Sequence, residues 1–321
     1  MDNFLGQFGP ATVGGLAIGS IYALVALGYT MVYGVLRLIN FAHSEVFTIG
    51  GFAAVGVFLM VGVSAPVGGF ALIGLLLLTV LVAMAASGGT ALLLEQVAYR
   101  PLRKHGSSRL AALISAIGAS LFLQELIKLV IIPHVFGQSN GAIQLQNMPR
   151  VIDKTPLFSI GNAPIRLDHV IIVVAAVIMM VLLDRLVNGT RVGRGIRATA
   201  QDPEAAVLMG VNIDKVVRTT FLLGGAMAGV AGVLYLLYFE NLDYRVGFVV
   251  GIKAFTAAVL GGIGNLRGAL LGGFVLGLVE SWSSIFLGAE WSEVTAFVVL
   301  VLVLMFRPTG ILGESLQRAR A

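Results

Sequence analysis

The sequence predicts an all-α, polytopic transmembrane helical bundle of about eight to ten membrane segments, one of them a candidate re-entrant half-helix. Three observations carry that reading. First, hydrophobic residues make up 58% of the chain and charged residues 12%, with a mean hydropathy of +0.96. A soluble domain carries about 45–50% apolar and about 25% charged residues. At 321 residues, half the usual charge does not furnish a water-facing surface. Second, the apolar residues fall in continuous runs such as VIIVVAAVIMMVLL, without the period-two alternation of a barrel strand. A bilayer core about 30 Å thick needs about 20 helical residues to cross it. Within one such run only a helix satisfies its own backbone in lipid. Third, Lys and Arg gather in short segments between the runs, where they set orientation.

Spans are expected near 11–34, 41–60, 67–98, 110–132, 168–187, 216–239, 247–264, 268–287 and 292–306. The stretch 67–98 exceeds one crossing and is expected either to tilt or to break at Gly88-Gly89. The stretch 247–264 is short, as a half-helix would be. The segments at 35–40, 99–109, 188–215 and 265–267 and the C-terminus hold most of the basic residues, among them Arg37, Arg100, Arg103, Arg194, Arg197 and Arg267. The other side holds Arg150, Lys154, Arg166 and Arg245. The positive-inside bias puts the first set in the cytoplasm, the N-terminus outside and the C-terminus inside. The whole chain, 1–321, reads as one membrane domain. Its outer loop, 133–167, is rich in Asn, Gln, Pro and Gly and is expected to pack with little regular helix. The inner loop is 188–215. The start, Met1-Asp2-Asn3-Phe4, lacks the basic residues of a cleaved signal peptide.

Cysteine is absent and the four histidines have no metal-helix spacing, so neither a disulfide framework nor a metal site is expected. No G-x-x-x-x-G-K-[ST] phosphate loop occurs. In the inner loop, Asp202 is a good N-cap, Pro203 suits the first helical position, Glu204 favours the first turn and Gly210 is a natural stop. A two-turn helix from Pro203 to Met209 is predicted. By itself it is equally an ordinary loop helix.

Glu204-Ala205-Ala206, followed after three residues by Gly210, resembles the Glu-Ala-Ala-x3-Gly core of ABC importer permeases; the later Ile-x-Leu-Pro is replaced by Thr220-Phe221-Leu222-Leu223. Further stretches are similar to the branched-chain amino acid permease family. They are ALGYTMVYGVLRLINFAHSEVFTIGGF (26–52), EQVAYRPLR (95–103), AFTAAVLGGIGNLRGALLGG (254–273) and RPTGILG (307–313), with Ser44 where the family usually has Gly. The resemblance runs in register over nearly the whole chain. It implies a permease subunit of a bacterial inner membrane, without enzymatic chemistry or cofactor of its own. It also implies a homologous second permease, two ATP-binding subunits carrying ATP and Mg, and a soluble substrate-binding protein. Asp202, Pro203, Glu204, Ala205, Ala206 and Gly210 would then form the ATPase-coupling helix. The substrates implied are branched-chain amino acids or related small amino acids, with import of urea, short amides or another amino acid as the alternative within the family and an ion-coupled secondary transporter as the alternative outside it. A nucleic-acid partner is not expected.

Gly264, Gly268 and Gly272 recur every fourth residue and Gly277 continues nearby, a spacing that lets helix backbones approach closely. The alternative is the general abundance of glycine in membrane helices. Asn40, His43 and Glu45 at the opening of the second span, with Gly261, Gly262 and Asn265, are candidate substrate-pathway residues. Asn40 is a candidate N-cap. Either the amides beyond it face a carboxylate inside the membrane, or the helix is merely capped at the inner surface with His43 packing. Ionisable residues inside spans demand partners. Glu125 and Lys128 are spaced for a pair. Lys253 and Glu280 admit a contact that spacing does not establish, and Glu95 is expected to reach the basic loop.

Overall fold

The computed structural model describes residues 2–138, 150–307 and 309–313. The helices are α1 (Asp2–Leu36), α2 (His43–Val61), α3 (Gly69–Leu94), α4 (Arg100–Lys104), α5 (Arg109–Leu126), α6 (Leu167–Gly189), α7 (Arg191–Gln201), α8 (Pro203–Leu208), α9 (Ile213–Phe239), α10 (Val246–Gly261), α11 (Leu266–Leu287) and α12 (Ser292–Phe306). Eight helical stretches are long and apolar enough to cross a membrane, and α10 is shorter. This is a multi-pass helical membrane protein. Its spans follow the nine predicted segments closely because each is a continuous apolar run.

The long third stretch is not broken at Gly88-Gly89. It runs from Gly69 to Lys104 as α3, a π-helical turn over Glu95–Tyr99, and α4. Gly88 is there for packing instead: a Cβ on it would press on Leu222 of α9. The fourth stretch likewise continues past α5 as a π-helix over Ile127–Val135, with Pro133 inside it. The loss of the proline N–H is absorbed there by the wider winding.

Burial separates centre from rim. The most apolar window of α9 is 83% buried and those of α1 and α2 are 67% buried, whereas that of α12 is 6% buried. The exposed residues of the rim helices are themselves apolar, among them Leu77 and Leu81 on α3, Phe122 on α5 and Val301 and Met305 on α12. Such faces suit lipid or a second membrane subunit, not water.

Glycine lets the central helices touch backbone to backbone. On α11, Gly268 and Gly272 lie against the backbone of α10 at Gly261 and Ala257, while Gly273 and Gly277 lie against Ala23, Gly15 and Gly19 of α1. On α9, Gly225 and Gly229 lie against α3 at Ser87 and Ala83. Gly264 departs from the predicted series. It sits between α10 and α11 at φ +100°, with nothing within 4 Å of where its Cβ would be. Its glycine serves the turn.

The segment 133–167, expected to hold little regular helix, contains a strand pair among its described residues. β1 (Pro156–Ile160) and β2 (Ala163–Arg166) form an antiparallel hairpin around Gly161-Asn162. Gly161 takes φ +59°, as such a tight turn requires. Arg150 and Lys154 pair with Glu240 just beyond α9, at 3.3 and 3.2 Å, anchoring the loop to the bundle. Most of the Asn- and Gln-rich run, residues 139–149, lies outside the described residues.

Candidate functional site

The end of the bundle opposite the hairpin is rich in arginine and carries α4, α7 and α8. Thr190 caps α7, its hydroxyl accepting from Gly193 N at 3.1 Å. Asp202 then caps α8: one carboxylate oxygen accepts from Glu204 N at 2.9 Å and Ala205 N at 3.1 Å. Pro203 occupies the first turn, where no N–H is needed. The helix ends at Leu208, one residue before the predicted end. Gly210 follows at φ +82°, its N–H donating to Val207 O at 2.9 Å, while Val211 N donates to Ala206 O at 2.9 Å. Those bonds satisfy the last carbonyls of the helix, and the left-handed residue that allows them is glycine.

This short helix has two faces. Ala206 points inward and is 3% exposed. Leu208 and Met209 point outward and are 88% and 84% exposed. Two large apolar side chains projecting from a segment among charged loops form an exposed apolar knob.

A charge cluster braces the same end. Glu95 is fully buried and pairs with Arg103 at 3.0 Å and Arg218 at 3.8 Å. Arg103 also holds Asp214 at 2.7 Å, and Arg100 lies 3.8 Å from the same carboxylate. The network ties the α3–α4 corner to the first turns of α9.

The opening of the second span is buried among its neighbouring helices. The His43 ring sits against Gly28, about two turns back from the end of α1, or about 12 Å along the axis. It makes an edge-on contact with Tyr29 at 5.0 Å. Asn40 does not cap α2 with its side chain. Its Oδ1 accepts instead from the Tyr99 hydroxyl at 2.7 Å, and only its backbone carbonyl accepts from His43 N, at 3.1 Å. Glu45 is fully buried. Its Oε1 accepts from Ser120 Oγ at 3.3 Å and Ser44 Oγ at 3.5 Å. Its Oε2 has no hydrogen-bond partner among the described residues and faces Gly247, where a Cβ would press on it. Asn40, His43 and Glu45 thus share one buried polar region with Tyr29, Ser44 and Ser120. Ser120 was readable in the sequence only as a hydroxyl inside an apolar run.

Gly261, Gly262 and Asn265 belong to a different neighbourhood. Ile311 N donates to Leu260 O at 2.8 Å and Leu312 N to Gly261 O at 3.0 Å. Asn265 Nδ2 donates to Leu312 O at 2.9 Å, while its Oδ1 accepts from Gly268 N at 3.1 Å and caps α11. The C-terminal RPTGILG segment, whose Pro308 is outside the described residues, therefore packs on the turn between α10 and α11. Nothing in these contacts joins that turn to His43 or Glu45.

The two charge pairs anticipated inside spans are both made. Lys253 Nζ donates to Glu280 Oε1 at 2.6 Å and to Ser292 Oγ at 3.1 Å. The same carboxylate oxygen accepts from the hydroxyls of Ser292 and of Tyr22, the latter at 3.3 Å. Glu125 and Lys128 lie 3.5 Å apart on one turn, on a more exposed face. Among the described residues no three His, Cys, Asp or Glu side chains are grouped to hold a metal ion.

Fold and site together define a multi-pass helical membrane protein that presents an apolar-tipped helix at its arginine-rich end. Comparison with known proteins gives the family. Residues 11–304 match the model described as branched-chain amino acid transport system, permease component. The high-affinity branched-chain amino acid permease protein LivH of Escherichia coli K12 is 41% identical over 301 residues, covering 94% of each chain. BraD of Pseudomonas aeruginosa, described in the same terms, is 39% identical over 305 residues, again 94% of each. A probable LivH of Methanocaldococcus jannaschii is 26% identical over 314 residues, 96% of this chain and 93% of that one. The chain belongs to the family of permease components of branched-chain amino acid transport systems.

Proposed function

We propose that the chain is one half of the translocation pathway of an ABC importer in a bacterial inner membrane. It carries branched-chain amino acids released by a soluble binding protein. A homologous permease supplies the other half of the pathway, and two separate subunits bind ATP and Mg. The chain itself performs no bond chemistry. The observation that carries this reading is α8. It is fixed at one end by Asp202 and at the other by Gly210, and it holds Leu208 and Met209 out to meet another protein. Asp202, Pro203, Glu204, Ala205, Ala206 and Gly210 set the pose of that knob in a groove of the ATPase. The buried region of Asn40, His43 and Glu45 borders the pathway. Gly268, Gly272 and Gly277 serve helix packing.

An ion-coupled secondary transporter is the second reading. The observation in its favour is Glu45, a buried carboxylate with one unpartnered oxygen and only hydroxyl donors on the other among the described residues. Proteoliposomes decide between the two. With the second permease, both ATPases and the binding protein, leucine uptake is expected to require ATP and to persist when ionophores collapse the ion gradients. Omission of the second permease is expected to abolish it. Gradient-driven uptake by this chain alone would overturn the importer reading. Urea displacing leucine from the purified binding protein would overturn the substrate.

The proposed orientation places the hairpin outside and α7 and α8 in the cytoplasm, in line with the basic residues at the α8 end. Reporter domains fused after Lys154 and after Ala321 are expected to report opposite sides. The same side for both would refute it.

A further inference from the structure

We propose that Arg37 is a positioning residue that links α8 to the buried region at the start of α2. The inference rests on the coupling role proposed for α8. Arg37 is the first residue beyond α1. It takes φ +52°, one of only two residues other than glycine with positive φ among the described residues. A side chain with a Cβ is strained there, and such strain persists only where surrounding contacts hold it. The Arg37 backbone N–H donates to Tyr33 O at 2.7 Å. Its Nη2 donates to Ala200 O at 3.1 Å and to Gln201 O at 3.2 Å.

Those two carbonyls end α7, and the next residue, Asp202, is the cap of α8. The end of a helix has unpaired carbonyls and a partial negative charge, so a guanidinium is well matched to it. One side chain therefore fastens the base of the apolar knob to the end of α1. On its other side Arg37 leads directly into residues 38–42. That short strap carries Asn40, tied to Tyr99, and ends at His43 and Glu45. A displacement of α8 is passed to the strap through Arg37, over and above the longer covalent route through α9.

The side chain is exposed and belongs to no core cluster, so its loss is expected to leave folding and assembly intact. The test uses the complete complex with Arg37→Ala and Arg37→Gly in proteoliposomes. Three quantities are read: ATPase subunits retained, binding-protein-stimulated ATP hydrolysis, and leucine imported per ATP hydrolysed. Both variants are expected to retain the ATPases and to hydrolyse ATP. Import per ATP is expected to fall about fivefold or more, the lower end of ordinary site-to-site coupling. Arg37→Lys, which keeps the charge, is expected to recover part of it. Normal import per ATP in both variants overturns the link. So does a normal Arg37→Gly beside a defective Arg37→Ala, which would make backbone strain the cause. Loss of the ATPases from the complex also overturns it, since the residue would then serve docking. Amide hydrogen exchange of the purified chain separates this inference from the importer reading. Amides 38–48 are expected to exchange about fivefold or more faster in Arg37→Ala, with α5 unchanged. If wild-type complex shows no ATP-driven uptake but this exchange change occurs, the importer reading fails and the link stands; unchanged exchange overturns the link.

Discussion

Gly210→Val is expected to lower ATP-driven uptake by about five- to thirtyfold, because a Cβ in the left-handed region costs about 1–2 kcal/mol and a factor of ten needs about 1.4 kcal/mol. Gly210 sits at φ +82°, and nothing lies within 4 Å of where its Cβ would be. The penalty is therefore one of backbone conformation, not of collision. Relieving it means unwinding the turn that lets Val211 N reach Ala206 O, which frees the outward pose of Leu208 and Met209. Gly210→Asn is the control, since asparagine tolerates that conformation better than most residues and should retain much of the activity. Glu204→Arg acts at the other end of α8 by placing a positive charge on a helix N-terminus, a penalty of about 0.3–1 kcal/mol. A smaller loss is expected from it unless Glu204 also meets a basic group on the ATPase. Binding-protein-stimulated ATP hydrolysis should fall together with uptake. Capture of the binding protein should not fall, because that protein is expected to dock on the hairpin end of the bundle, opposite α8. Normal coupled uptake by the assembled valine variant would remove α8 from the coupling role. Loss of binding-protein capture with the ATPases still bound would show a global defect instead.

What the sequence made legible was whatever depends on neighbours along the chain. Membrane spans are continuous apolar runs, so their places survive in the structure, although α1 begins at Asp2 and the third stretch runs on to Lys104. The loop helix was readable because Asp202, Pro203 and Gly210 each act on the backbone beside them. The hairpin was readable in principle from Gly161-Asn162 between LFSI and APIR, but the polar composition of the outer loop obscured it. Gly264 matched a four-residue spacing that the chain breaks by turning at that position, and no spacing rule registers a turn. Contacts between elements were the hardest to see. Ser120 reaching Glu45, the C-terminal segment closing on Gly261, and Arg37 reaching the end of α7 all join residues far apart in sequence. Glu125 and Lys128 share one turn and were found by spacing. Lys253 and Glu280 are on different helices and were found only as two charges that each needed a partner.

That second pair has the largest expected effect on stability. Lys253 and Glu280 are 8% and 7% exposed, and the bond between them is 2.6 Å long. The carboxylate also accepts from Tyr22 and Ser292, so it joins α1, α10, α11 and α12 at one point. Glu280→Ala leaves the Lys253 ammonium without its counter-charge and removes the acceptor of three donors. Breaking a buried pair in this way costs about 3–5 kcal/mol. Lys253→Met strands the carboxylate instead and should cost a similar amount. The charges themselves contribute less than those figures suggest, because desolvation of both ions offsets much of their attraction. Removing both should therefore restore much of the loss. The double variant Lys253→Met with Glu280→Gln keeps an acceptor for Tyr22 and Ser292 and buries no charge. The measurement is thermal unfolding of the purified complex in detergent, run as a double-mutant cycle. Each single change should lower the midpoint clearly, and the double variant should lie well above the sum of the two losses. Strict additivity would mean that Lys253 and Glu280 do not hold each other.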